Sequence, residues 1–369
     1  MFFESRFAQE DTAKIKRTSD SGRSCITTII QEDTMTEMDM TRRHLFNMAG
    51  VLAGAAGAGL LASNDVRSKA NAAEAKGEYV FLSIVTQVPF WVDHKRGLSD
   101  SGKQLGVTTT FTGPLDFDTA GQARQLDEIV ARRPAGILIF PGDAATLAPG
   151  IDRAVEAGIP VATIIGDVPN SKRFCTLGIN GFDAGRVGGE MLAQAIGGKG
   201  KVLLGTFPAP NVLDRVEGYK AIFKEKYPEI TVVDVVNDKA DPSYAPTAYA
   251  QALQAHPDVV GIGGTDGDSG KGSAIAVRDA DRTGKVKIVA MDRNDDMLPF
   301  IEDGTIYGSV AQKSYAEAYI ATHLLYWLNA NDMKVLPDWK AAGIDPLPEK
   351  IQTGTMRITR ENVRLFKHT

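Results

Sequence analysis

From Tyr79 onward the chain changes its hydrophobic period over and over. Residues 79–85 and 107–111 are short β-rich runs, and between them 91–105 has helical spacing and stops at Gly106. Residues 119–132 are helical again, 136–140 form an apolar run closed by Pro141-Gly142, 147–157 are helical, and 160–165 are the next apolar run. Apolar strands without polar alternation are buried on both faces, as parallel strands between two helix layers are. The pattern predicts an α/β fold with a doubly wound parallel sheet.

Beyond Asn180 the alternation starts afresh. Helical spacing recurs at 185–196, 215–226, 245–255 and 273–280, and strand-like runs at 201–205, 231–236, 259–263, 287–291 and 306–311. A second Rossmann-like domain of the same class is expected. The helical stretch 315–329 and the tail 350–358 come late enough to return to either domain. No long Gly/Ser or Pro linker separates the halves, so several short crossings should join them.

The segment ahead of the first strand has a different character. Thr41-Arg-Arg-His-Leu-Phe-Asn47 precedes an Ala/Gly/Leu-rich run at 48–62 and the triplet Ala70-Asn71-Ala72. A charged n-region, an apolar h-region and an A-x-A site are the parts of a secretory signal, and the pair Arg42-Arg43 points to the twin-arginine route. The apolar run falls short of the roughly 20 residues that span a bilayer. A leader of residues 1–72, cleaved near Ala72-Ala73, is therefore expected rather than an anchor. Met35, Met38 and Met40 each offer a start that would bring the arginine pair close to an ordinary N-terminus. Cleavage removes Cys25 and leaves Cys175 alone, which excludes a disulfide framework. No cysteine adjoins the cleavage site to carry a lipid, so a product free in the periplasm is expected.

Roughly 300 mature residues fit two domains of ordinary size. A net charge of -5 with no basic run argues against nucleic acid or anionic lipid as partner.

Open α/β sheets bind ligands beyond the carboxyl ends of their strands. At those places stand Thr86, Gln87, Pro89, Phe90 and Trp91, then Asp167, then Arg215 at the end of the loop after Gly205, then Asp266, Asp292 and Gln312. Each has a bland alternative. Phe90 and Trp91 suit core packing at a helix start, the commoner role of an Asp after a strand is a turn or N-cap, and Arg215 could sit on a helix surface. Their recurrence across two domains favours a site. An aromatic plane packs against the C–H face of a sugar ring. Carboxylates and a guanidinium make charge-assisted hydrogen bonds to neighbouring hydroxyls.

Several longer stretches carry a resemblance. They are Pro89-Phe90-Trp91, Ala157-Gly-Ile-Pro-Val161, Asn180-Gly-Phe-Asp-Ala-Gly185, Arg215-Val-Glu-Gly-Tyr219, Ala255-His-Pro-Asp-Val259, Ala290-Met-Asp292 and Gly308-Ser-Val-Ala-Gln312. Over residues 79–358 the chain resembles the type I periplasmic solute-binding proteins of ABC sugar importers, in the ribose-binding cluster. The resemblance implies a monomer with two lobes joined by three crossings near Asn180, Gln312 and residues 337–348. It implies lobes of 73–180 plus 313–340 and of 181–312 plus 341–369. It also implies a sugar held between Phe90 and Trp91 and hydrogen-bonded by Arg215, Asp266, Asp292 and Gln312, with Asp167 added from the residue reading. Thr86, Gln87, Asn180 and Tyr244 are further candidates. The implied partners are a monosaccharide or sugar alcohol and an inner-membrane permease.

The chain departs from ribose binders in four places. Val88 replaces an Asn before the Pro-aromatic pair, and Ile165-Gly166 replaces Asp-Arg. Ala240 stands where an aromatic is common, though Tyr244 could reach that wall, and Asp266 replaces a common Asn. These changes point away from ribose itself and leave pentoses, hexoses and sugar alcohols.

An enzyme is not expected. Of His94, His256, His323 and His368 only His94 falls near the cleft, and no metal-ligand spacing appears. The Gly-rich stretch 263–272 fails as a phosphate loop at Thr265 and at Gly272. No cofactor is implied. A periplasmic sensor subunit serving a receptor kinase or chemoreceptor is the alternative role. A sugar-responsive regulator is disfavoured because an export signal stands where its DNA-binding helices would be.

Overall fold

The computed structural model describes residues 76–330, 332–333, 335–336 and 338–367. The arginine pair, the apolar leader segment and the cleavage site lie outside the described residues. Two six-stranded sheets organise the rest. The first sheet begins with β1 (Glu78–Leu82), β2 (Thr108–Thr112), β3 (Gly136–Ile139), β4 (Val161–Ile164) and β5 (Cys175–Gly178). The second contains β6 (Gly200–Thr206), β7 (Ile230–Asn237), β8 (Val259–Gly263), β9 (Lys287–Met291) and β10 (Gly308–Gln312). All of these pair in parallel. The chain then adds β11 (Lys350–Gln352) parallel to β5, and β12 (Thr355–Thr359) antiparallel to β10.

Every residue of β3 and β4 is buried, as the absence of polar alternation in these runs requires. The helices between strands are set by their ends. Asp118 and Asp143 cap α2 (Thr119–Ala131) and α3 (Ala144–Glu156) by accepting from Gly121 N and Thr146 N. Gly106 ends α1 (Trp91–Leu105) with φ 68°, a left-handed conformation that costs glycine little.

The sheet orders are β11-β5-β4-β3-β1-β2 and β12-β10-β9-β8-β6-β7, the same winding twice. The chain passes between sheets at 179–180, at Lys313 and at 353–354. Each passage leaves the carboxyl end of a strand, so the carboxyl edges of the two sheets face one another. The third passage corrects the expectation of a crossing at 337–348. Lys350, Ile351 and Gln352 pair with Thr176, Leu177 and Gly178, which keeps the chain in the first lobe until residue 352. Three residues, of which only the middle one is half-buried, carry too little apolar pattern to read as a strand. β5 was not expected either, because its four residues are interrupted by polar Thr176 and its pairing is with β4 and β11.

The helix α9 (Ser314–Ala330) returns to pack on α1 in the first lobe. In the second, α4 (Gly181–Ile196) lies against α5 (Pro210–Lys226) at a distance set by glycine. A Cβ at Gly185 would fall 2.0 Å from the Arg215 carbonyl oxygen, and one at Gly218 would fall 2.1 Å from that of Phe182. The glycine of Asn180-Gly-Phe-Asp-Ala-Gly185 thereby fixes where α5 holds Arg215. Among the described residues no helix is long and apolar enough to cross a membrane.

Candidate functional site

The facing carboxyl edges gather polar groups on the second lobe and aromatic ones on the first. Arg215 lies on α5 at 3 % exposure, and its Nη1 donates to the Thr265 carbonyl at 2.6 Å. Asp292 directly follows β9, with a φ of 67° and 6 % exposure. Gln312 ends β10, and its Nε2 donates to Asp292 Oδ1 at 3.0 Å. Burial pushes the Asp292 carboxyl above its usual range, against the pull of the Arg215 charge and the Gln312 hydrogen bond, while Asp266 and Glu317 push it further up. Arg215 Nε and Gln312 Oε1 are both buried without a hydrogen-bond partner. Buried polar atoms are seldom left in that state, so this corner is equipped to donate to and accept from a polar guest.

Asp266 takes the role that is commonest for an Asp after a strand. It caps α7 (Gly267–Asp279), with Oδ1 accepting from Asp268 N at 2.9 Å and Ser269 N at 3.0 Å. Its Oδ2 lies 2.6 Å from Ser269 Oγ, which also lies 2.7 Å from Oδ2 of Asp238. One hydroxyl proton cannot serve both carboxylates. A second proton belongs on Asp238, which is fully buried and is pushed up to about 7 by desolvation and by the charge of Asp266. Asp268 beside them is raised to about 6, by burial first and then by Asp266, Asp296 and Asp292.

On the first lobe Phe90 stands at the start of α1, half-buried, with its ring 4.9 Å from that of Trp91. Trp91 itself is 1 % exposed and is ringed by Phe81, His94, Phe111 and Phe140 with centroids 5.0–5.6 Å away. Its indole Nε1 is another buried atom without a partner. The structure thus gives Trp91 the packing of a core residue and leaves Phe90 nearer the surface.

The remaining candidates stand apart from this corner. Asp167 belongs to an ion-pair network of its own lobe. Its Oδ1 accepts from Arg173 Nε at 2.5 Å and Thr176 Oγ1 at 2.6 Å, and Lys350 Nζ is 3.5 Å from Oδ2. Burial opposes ionisation there, but the hydrogen bonds from Arg173 and Thr176 outweigh it and hold the carboxyl below its usual range. Asn180 is an exposed N-cap of α4 that accepts from Asp183 N. Thr86 donates to the Pro114 carbonyl, and Gln87 is exposed; both line a surface groove with Lys95 and Phe111. Tyr244 is half-buried with Lys239 Nζ 4.1 Å above its ring.

Two features escaped the sequence. Glu317 on α9 is fully buried, 3.3 Å from His94 Nε2 through Oε2, and accepts from Thr353 Oγ1 at 2.8 Å through Oε1. A lone acid in the otherwise apolar stretch 314–330 was the available signal. Arg293, next to Asp292, donates to Asp93 on α1 and so joins the two lobes across the cleft. Among the described residues no group of three His, Cys, Asp or Glu side chains could hold a metal ion.

Residues 79–331 match the family model of the periplasmic binding protein domain. A sugar-binding protein of a sugar ABC transporter from Bacillus halodurans superposes with a TM-score of 0.73 at 28 % identity, covering 78 % of this chain and 99 % of that one. An arabinose-binding protein from Geobacillus stearothermophilus superposes with a TM-score of 0.71 at 30 % identity, covering 79 % and 99 %. The ribose import binding protein of Bacillus subtilis is 23 % identical over 255 residues, 68 % of this chain and 82 % of its own length.

Proposed function

This chain belongs to the periplasmic binding protein family, in its type I fold, and from that premise we propose that it captures a monosaccharide or sugar alcohol between its lobes and delivers it to the permease of an ABC importer. The observation that carries the reading is the pair of orphaned buried atoms, Arg215 Nε and Gln312 Oε1, beside the Asp292 carboxylate. A donor, an acceptor and a carboxylate in one buried corner suit adjacent hydroxyls, each of which donates once and accepts twice. The half-buried Phe90 ring on the opposite lobe offers a plane for C–H groups. The chemistry is binding rather than catalysis, and one copy suffices because a single chain supplies both walls.

Capture in such a cleft works by closure around three short passages, with the guest shifting the population toward the closed form. The bridge from Arg293 to Asp93 supports a closed arrangement held by contacts between lobes. Delivery takes place in the periplasm, reached by the twin-arginine route through Arg42 and Arg43. Replacing that pair with lysines should leave the precursor in the cytoplasm, and unchanged export would sink the route.

A thermal-shift screen against monosaccharides and polyols tests the binding reading. A ligand at a hundredfold excess over its Kd stabilises the folded state by about 2.7 kcal/mol. If no sugar or polyol moves the melting temperature, the reading is wrong.

A further inference from the structure

Ile165 and Asp292 hold the same place in the two lobes. The two sheets have one winding order, in which β4 of the first corresponds to β9 of the second and β5 to β10. Ile165 directly follows β4, and Asp292 directly follows β9. The Ile165 N–H donates to the Leu177 carbonyl of β5, and the Asp292 N–H donates to the Val310 carbonyl of β10. Their φ angles are 68° and 67°. Positive φ is uncommon outside glycine, and for a β-branched side chain it is an outlier. Gly166 N donates to the Ile164 carbonyl, which makes Ile165 the centre of a γ-turn of the rare, strained hand. Strain of this kind gathers where a side chain must be aimed at something.

The two equivalent positions stand on the facing carboxyl edges of the sheets with opposite chemistry. On the second lobe the edge carries Asp292, Arg215 and Gln312. On the first lobe Ile165 packs in one apolar cluster with Val88, Phe90, Trp91 and Phe140. Asp167, two residues further on, is committed to ion pairs of its own lobe: Oδ1 accepts from Arg173 and Thr176, and Oδ2, which makes no hydrogen bond, lies 3.5 Å from Lys350 Nζ. We propose that the cleft selects a deoxygenated monosaccharide, one whose methyl or methylene carbon lies against Ile165 while its hydroxyls turn toward Arg215, Asp292 and Gln312. This rests on the sugar-binding reading and narrows it. A hydroxyl pointed at Ile165 would lose its water and gain no partner, which weakens binding by about tenfold.

The test is calorimetry with matched pairs of sugars. 6-Deoxyhexoses (L-rhamnose, L-fucose, D-quinovose) and 2-deoxy sugars (2-deoxy-D-ribose, 2-deoxy-D-glucose) are each titrated beside the fully hydroxylated parent. The tightest ligand should be a deoxy sugar that exceeds its parent by about tenfold. Ile165→Asn offers a donor and an acceptor at the same place and tolerates positive φ, which offsets part of the apolar packing it gives up, so it should stay folded, as a melting curve checks, and reverse that ratio. Tighter binding of the parent in every pair would overturn the inference while leaving sugar binding intact. An unchanged ratio in a folded Ile165→Asn would do the same. Binding of none of these sugars by either protein overturns the inference, and the thermal-shift screen against the remaining monosaccharides and polyols decides whether the sugar-binding reading falls with it.

Discussion

Asp93 on the first lobe accepts a hydrogen bond from Arg293 on the second. The two side chains are 19 % and 15 % exposed, so the pair is neither fully solvated nor dry. Arg293 is further anchored by its Nε, which donates to the Phe366 carbonyl. The bridge exists only while the lobes are together, so it biases the open–closed equilibrium and not the fold of either lobe. Exchanging Arg293 for Ala should open the ligand-free protein and weaken ligand binding by on the order of 1 kcal/mol. Small-angle scattering should give a larger radius of gyration for the variant. An identical radius and identical affinity would mean that the contact is incidental.

Arg215→Ala and Asp292→Ala should each weaken sugar binding more than tenfold, since a hydrogen bond to a charged group contributes roughly 1.5 to 3 kcal/mol. Asp167→Ala should behave differently. It leaves Arg173 buried without its closest anion, so stability should fall while affinity changes little. Calorimetry together with denaturant melts separates the two effects, and a tenfold loss of affinity in Asp167→Ala would return that residue to the site.

The aromatic pair should divide in the same manner. Trp91 fills a cluster of five surrounding aromatic or imidazole rings, so Trp91→Ala should cost about 3 to 5 kcal/mol of stability, as large core truncations do. Phe90→Ala, at a half-buried ring, should cost far less stability and should lower affinity. Urea midpoints for the two variants check this; equal midpoints would show that both rings belong to the core.

The buried Asp238 predicts a pH dependence. Its carboxyl is raised from the ordinary 3.8 to about 7, so the folded state holds a proton that the unfolded chain releases. Stability from this group is complete below about pH 4 and is lost as pH rises toward 7. Asp268 and Asp292 are raised as well and add slope in the same direction. Asp266 and Ser269 from the start of α7 and Tyr249 from the preceding helix face Asp238, and Lys239 and Asp241 flank it in its own loop. Asp238→Asn should flatten the upper part of the slope, so that the variant loses less melting temperature between pH 5 and pH 8 than the parent. A parallel pair of curves would place the proton elsewhere.

Much of the fold was legible because central parallel strands such as β3 and β4 are apolar throughout and their helices begin at Asp118 and Asp143. The edge elements were not. β11 owes its extended form to pairing with β5, over 170 residues away in sequence, and β5 owes its own to β4 and β11 together, relations no local pattern carries. For the same reason residues 337–348, rich in proline, read as a crossing although the chain had not yet left its lobe. The site divided on similar lines. Positions after strands identified Arg215, Asp292 and Gln312, which the structure brings together. Asp167 stood at such a position but was drawn off by Arg173, a partner whose approach depends on β5. Glu317 was missed because the groups that make its burial tolerable, His94 and Thr353, lie 223 and 36 residues away.

The interleaving of the two sheets has a consequence for synthesis. The first lobe begins at β1 yet lacks α9 and β11 until residue 352 has been made, and the second lacks β12 until residue 359. The two lobes receive their last strands within ten residues of each other, so both stay unfinished on the ribosome until 350–359 have been made. Long-range strand pairing of this sort also folds slowly. Removing residues 350–369 would strip an edge strand from both sheets at once, which makes segment 350–359 a checkpoint on whether both lobes have been closed.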